Sequence, residues 1–164
     1  MKKLITTITL IFSITANSQS TLPNISLNSL EGKEINIQEI SSNDKIAVVS
    51  LWATWCVPCI KELDAISEYY EEWKDEVDFE LFAISTDDSR TIKRVNAMVN
   101  GKGWEYTILL DSNNELQRAL GASTIPLTLI FLQKEMSFLA SQPPTFTFKS
   151  KFAAKVIARI FFIS

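Results

Sequence analysis

The chain has 164 residues, 46% apolar and 21% charged, the balance of one packed domain rather than of a disordered segment. A formal net charge of −3 supplies no basic field for nucleic acid. The lack of histidine excludes Ser-His-Asp and Cys-His catalysis, and most zinc or haem sites built from the chain's own ligands.

The first residues read as an export signal. Lys2 and Lys3 precede an apolar stretch from Leu4 to Ile14, and Ala16-Asn17-Ser18 offers small residues for cleavage. Residues 1–18 are therefore expected to be a cleaved signal peptide, with a mature chain from Gln19 in a periplasmic or other extracytoplasmic, oxidising compartment. The competing expectation is an uncleaved anchor, for which the apolar run is short. No cysteine follows it, which excludes lipidation at the cleavage point.

Alternation over residues 25–40, with a turn at Glu31-Gly32-Lys33, predicts a hairpin with one buried face. Residues 45–53 form a continuous apolar run suited to a central strand buried on both faces. Ile60, Leu63, Ile66, Tyr70 and Trp73 then recur at helical spacing. A strand over 77–85 follows, then a helix over 89–100 that Gly101 and Gly103 terminate. A strand over 105–110, a short helix over 113–120 and a strand over 127–132 complete the pattern. Strands alternating with helices predict an α/β sheet with parallel members.

Cys56-Val57-Pro58-Cys59 holds both cysteines of the chain, between the central strand and the long helix. The first cysteine falls at a helix N-terminus, where free backbone N–H groups and the helix dipole favour a thiolate. Pro58 fits the first turn, where a missing N–H costs nothing. Cys56 is the expected nucleophile and Cys59 the more buried resolving thiol. A purely structural disulfide would gain little from so short a loop. A zinc site would need about four ligands, and no second pair exists. Redox catalysis is favoured over both.

Trp52-Ala53-Thr54-Trp55-Cys56-Val57-Pro58-Cys59 resembles the active-site signature of thioredoxin-fold proteins, most closely that of the TlpA/ResA branch of thiol-disulfide oxidoreductases. The resemblance runs over about residues 22–132. It implies an α/β thioredoxin-like fold, a central mixed sheet flanked by helices, with an extra N-terminal β-hairpin. It also implies reduction or exchange of disulfides in exported proteins, often in cytochrome c maturation. Pro126 matches the family's cis-proline facing the cysteines. A bend there would leave the Ile125 backbone free to pair with an extended substrate, although the residues alone fit a trans proline opening an edge strand equally well. Glu62 matches an acidic residue near the buried thiol and is a candidate to carry the Cys59 proton. The bland alternative for Glu62 is one more member of a solvated acidic face. Ser50 stands where thioredoxin has a buried acid, and Asp64 where the branch often has a helix-kinking proline. Trp55 is expected to cover the site or contact substrate, and Trp52 to be core.

Beyond Leu132 the resemblance fails. Residues 19–126 carry 9 basic and 18 acidic groups, whereas residues 127–164 carry 5 and 1, with no Gly, Asn or Asp. The expected domains are thus 19–132, thioredoxin-like, and 133–164, an atypical C-terminal segment ending in a helix from Lys151 to Phe162. A shifted reading frame near residue 133 would explain the tail equally well. The chain shows no cofactor site, so its expected partners are exported protein thiols and disulfides, with a membrane-bound thiol as electron donor. A thioredoxin-like holdase without turnover is the alternative. A peroxiredoxin-like peroxidase ranks lower, because those enzymes do not use a CxxC pair, and copper delivery ranks lower still.

Overall fold

The computed structural model describes residues 22–40, 45–76, 78–132 and 135–137. The expected signal peptide and terminal helix lie outside them. Among the described residues, seven strands form one sheet: β1 (Ser26–Ser29), β2 (Glu34–Asn36), β3 (Ile46–Trp52), β4 (Phe79–Ser85), β5 (Thr107–Leu110), β6 (Leu127–Leu132) and β7 (Glu135–Ser137). Their order is β2-β1-β5-β4-β3-β6-β7. β3, β4 and β5 run parallel, while β1, β2, β6 and β7 pair antiparallel. The sheet is therefore mixed, with the hairpin added at one edge. β7 carries it past Leu132, where the sequence pattern ended the domain.

β3 is central because both its faces are apolar. Val48 and Trp52 join the layer under the long helix, and Ala47, Val49 and Leu51 join the opposite one. That helix, α2 (Val57–Glu76), buries Cys59, Leu63, Ile66, Tyr70 and Trp73, a stripe at spacings of three and four. It runs on through Asp64 without a break. Asp64 accepts hydrogen bonds from Lys102 Nζ at 2.6 Å and Trp104 Nε1 at 3.1 Å, so it ties the helix to the segment before β5.

Three expectations need correction. Residues 37–40 do not continue the hairpin; they form a helical turn, α1 (Ile37–Ile40). Asn36 Oδ1 accepts the Gln38 N–H at 2.9 Å, a local bond that competes with strand pairing, and the turn buries Ile37 and Ile40 together. The next helix, α3 (Lys93–Lys102), starts later than expected and contains Gly101. Gly103 alone ends it, with φ 67°, a left-handed cap that favours glycine. The short helix α4 is trimmed to Glu115–Ala119.

Candidate functional site

β3 and β4 end together, Trp52 opposite Ser85, and Leu110 of β5 pairs with Ser85. β6 begins at the same end, Leu127 opposite Leu51. Four loops therefore gather beyond the carboxyl ends of the parallel strands, the usual location of a site in an α/β sheet. They carry residues 53–56, 86–92, 111–114 and 121–126.

Cys56 sits where β3 turns into α2. Its N–H donates to Ala53 O at 3.0 Å, and its carbonyl accepts the first helical bond, from Ile60 N–H at 3.1 Å. Cys56 is thus the residue that caps α2. Its Sγ accepts the Cys59 N–H at 3.3 Å, as a capping side-chain oxygen would. Cys56 and Cys59 are joined by a disulfide with Cα atoms 5.3 Å apart. Cys56 is 5% exposed and Cys59 1%. Trp55 and Val57 on either side of Cys56 are the exposed large apolar residues of the described chain, at 61% and 62%. An exposed apolar pair flanking a reactive sulfur suits contact with another protein.

Trp55 also lines a cleft of about 330 Å³ with Thr86, Asp88, Arg90, Thr91, Asn114 and Gln117. Arg90 donates to Asp88 from Nε at 2.9 Å and from a terminal nitrogen at 2.6 Å. These hydrogen bonds hold the Asp88 carboxyl down to about 2. Ile125 and Pro126 lead into β6 at this same end of the sheet. The Ile125–Pro126 peptide is cis, and Ile125 packs against the apolar layers on both faces of the sheet.

Glu62 is not a member of a solvated acidic face. One helical turn beyond Cys59, it points toward the sheet and accepts a hydrogen bond from Thr128 Oγ1. Burial raises its pKa above the ordinary value, and the strand hydroxyls of Thr128 and Ser50 oppose that rise. Ser50 therefore does not leave the interior without an acid. The carboxyl comes from the helix and meets a strand hydroxyl where thioredoxin has an acid on the strand.

Two further groups escape a linear reading. Asp87, 1% exposed, accepts hydrogen bonds from Thr54 N–H at 2.8 Å, Thr54 Oγ1 at 2.6 Å and Ser85 Oγ at 2.9 Å. It anchors the loop that carries Trp55 and Cys56. The available signal was its place just after an apolar strand. Thr128 is the second, and its signal was a lone polar residue in the run Leu127 to Leu132.

Residues 19–150 match the AhpC/TSA family. The thiol-disulfide oxidoreductase ResA of Bacillus anthracis is 28% identical over 108 residues, which are 66% of this chain and 60% of that protein. The chain thus spans about 60% of the length of the curated relatives it matches. An uncharacterized thioredoxin-like protein from Porphyromonas gingivalis is 32% identical with a TM-score of 0.67, over 90% of this chain and 94% of that one. A secreted thiol-disulfide isomerase from Corynebacterium glutamicum is 26% identical with a TM-score of 0.58, over 70% and 71%. The fold is thioredoxin-like.

Proposed function

The chain belongs to the AhpC/TSA family, and from that premise we propose that it is a thiol-disulfide oxidoreductase that reduces or exchanges disulfides in exported proteins. The observation that carries this is the bonded pair Cys56–Cys59 capping α2. In the reduced protein the Cys56 sulfur lies where the Cys59 N–H and the positive end of a twenty-residue helix stabilise a thiolate. That thiolate attacks a client disulfide. One client sulfur leaves as a thiol, and the other joins Cys56. Glu62 takes the proton of Cys59, whose thiolate attacks Cys56 and expels the second client sulfur. The client gains two electrons and the protein ends as the Cys56–Cys59 disulfide. A thiol donor outside the chain, membrane-bound in this proposal, returns it to the dithiol.

Trp55 offers the client an exposed ring, and Ile125 with cis-Pro126 offers a backbone edge for an extended segment. Export rests on the pattern of residues 2–18, and a place in cytochrome c maturation rests on the TlpA/ResA resemblance. Val57-Pro58 puts no charge or hydrogen-bond donor side chain between the cysteines, so the thiolate is stabilised moderately and the protein is a reductant or exchanger. Equilibration with glutathione and dithiothreitol buffers tests this. A potential below roughly −200 mV is expected, and one near roughly −120 mV, the range of a dedicated oxidant, overturns it.

A further inference from the structure

Ser50 and Thr128 face each other in register across β3 and β6, with hydroxyl oxygens 3.1 Å apart. Both are buried, at 1% and 8%. They lie on the sheet face that α2 covers, between Val48 and Trp52 on one strand and beside Ile130 on the other. Hydroxyls in such a layer lose water and need partners. Thr128 finds one in the Glu62 carboxyl. The facing strands β3 and β6 carry no charged side chain. The titratable group that shares this helix face is Cys59, one turn before Glu62, with Cys56 at the cap. Asp64 is turned to Lys102 and Trp104.

Each hydroxyl has one proton to give and can also accept. With Glu62 ionised, Thr128 donates to the carboxylate and Ser50 donates to Thr128. With Glu62 protonated, the carboxyl donates to Thr128 and Thr128 donates to Ser50. The two arrangements interconvert by rotating hydroxyls, and no heavy atom moves.

We propose that Thr128 and Ser50 are positioning residues: a reversible hydroxyl chain that holds the Glu62 carboxyl in both protonation states and sets the pH at which it accepts the Cys59 proton. The inference rests on the role given to Glu62 above. In the step concerned, the Cys59 S–H proton passes to the Glu62 carboxylate. The Cys59 thiolate then bonds to Cys56 Sγ, the Cys56–client S–S bond breaks, and the departing thiolate takes up a proton. A valine at position 128 would remove the bond that favours the ionised carboxyl, so Glu62 would stay protonated to higher pH.

The experiment uses the full chain, reduced with dithiothreitol and freed of it, mixed with oxidised glutathione. Acid quenching and mass spectrometry follow the mixed disulfide at Cys56. Its rate of collapse is measured against pH for the wild type and for Glu62→Gln, Thr128→Val, Thr128→Ser and Ser50→Ala. Glu62→Gln should remove the limb set by Glu62 and leave only a rise at higher pH, where Cys59 itself ionises. Thr128→Val should move that limb up by about one pH unit, Ser50→Ala should move it less in the same direction, and Thr128→Ser should restore it. A Thr128→Val profile superimposed on the wild type, with the limb still lost in Glu62→Gln, overturns the hydroxyl chain and leaves Glu62 in its role. A wild-type profile in Glu62→Gln overturns both. If Thr128→Val does not fold, Ser50→Ala against wild type decides on the same terms, since it removes only the outer hydroxyl.

Discussion

Thr54 and Asp87, 33 residues apart in sequence, are joined twice: the Thr54 N–H donates to Asp87 Oδ2 at 2.8 Å and the Thr54 hydroxyl to Oδ1 at 2.6 Å. Thr54 stands two residues before Cys56, so the link fastens the start of the redox loop to the end of β4. The backbone carries a parallel tie, because Thr86 N–H donates to Trp52 O at 2.8 Å. A loop held at both levels keeps Cys56 at the mouth of α2.

The Asp87 carboxyl collects three donors while buried, so removing it leaves them unpaired. Asp87→Ala is expected to cost about 2–4 kcal/mol of stability. Asp87→Asn, which keeps one acceptor oxygen, is expected to cost less. Urea unfolding followed by tryptophan fluorescence measures both. A loss under about 0.5 kcal/mol for Asp87→Ala would show that the loop needs no anchor.

The same pair shows where sequence reading stops. The strand-to-helix junction at Cys56 was legible because a continuous apolar run, a CxxC and a helical stripe are all local patterns. Asp87 was not, because it is one of 18 acidic residues between 19 and 126, and only chain folding brings it to Thr54. Ser50 was legible as a departure, a hydroxyl where an acid is usual. Its pairing with Thr128 depends on strand register, which a linear pattern does not encode. Ile37 failed for a different reason. Its alternation with Ile35 fits a strand, but a spacing of three to Ile40 fits a helical turn equally well.

Trp52 and Trp55 belong to one motif and have opposite roles. Trp52 is fully buried and meets Trp104 edge to face at 5.1 Å between ring centroids. Trp52→Ala is expected to cost about 3–5 kcal/mol. Trp55→Ala, at an exposed position, should change stability by less than about 0.5 kcal/mol while slowing reduction of a protein disulfide such as insulin's more than reduction of glutathione disulfide. Equal slowing of the two substrates would remove Trp55 from protein recognition.

The cysteines should differ in the reduced protein as their positions differ. Iodoacetamide at mildly acidic pH is expected to label Cys56 first, located by peptide mass mapping, because the helix start favours its thiolate. Cys59→Ser should then hold client proteins as mixed disulfides at Cys56, since nothing remains to resolve them. First labelling at Cys59 would reverse the assignment. A Cys59→Ser protein that binds unfolded chains with no covalent adduct would favour the holdase.

Glu62 makes stability depend on pH in a defined direction. Burial raises its pKa above 4.5 in the folded protein, so the native state keeps a proton that the unfolded chain releases. From about pH 4.5 up to the raised folded value, stability contributed by this group falls as pH rises. Below that window the carboxyl is neutral in both states, and above it the loss is complete. Glu62→Gln keeps an acceptor for Thr128 and cannot ionise, so it escapes the loss. The stability of Glu62→Gln relative to wild type should therefore grow from pH 4 toward neutrality and then level off. Urea unfolding of the two oxidised proteins at several pH values from 4 to 8 gives the difference directly. A difference independent of pH would mean that Glu62 titrates alike in the folded and unfolded chains, and that the hydroxyls of Thr128 and Ser50 offset its burial in full.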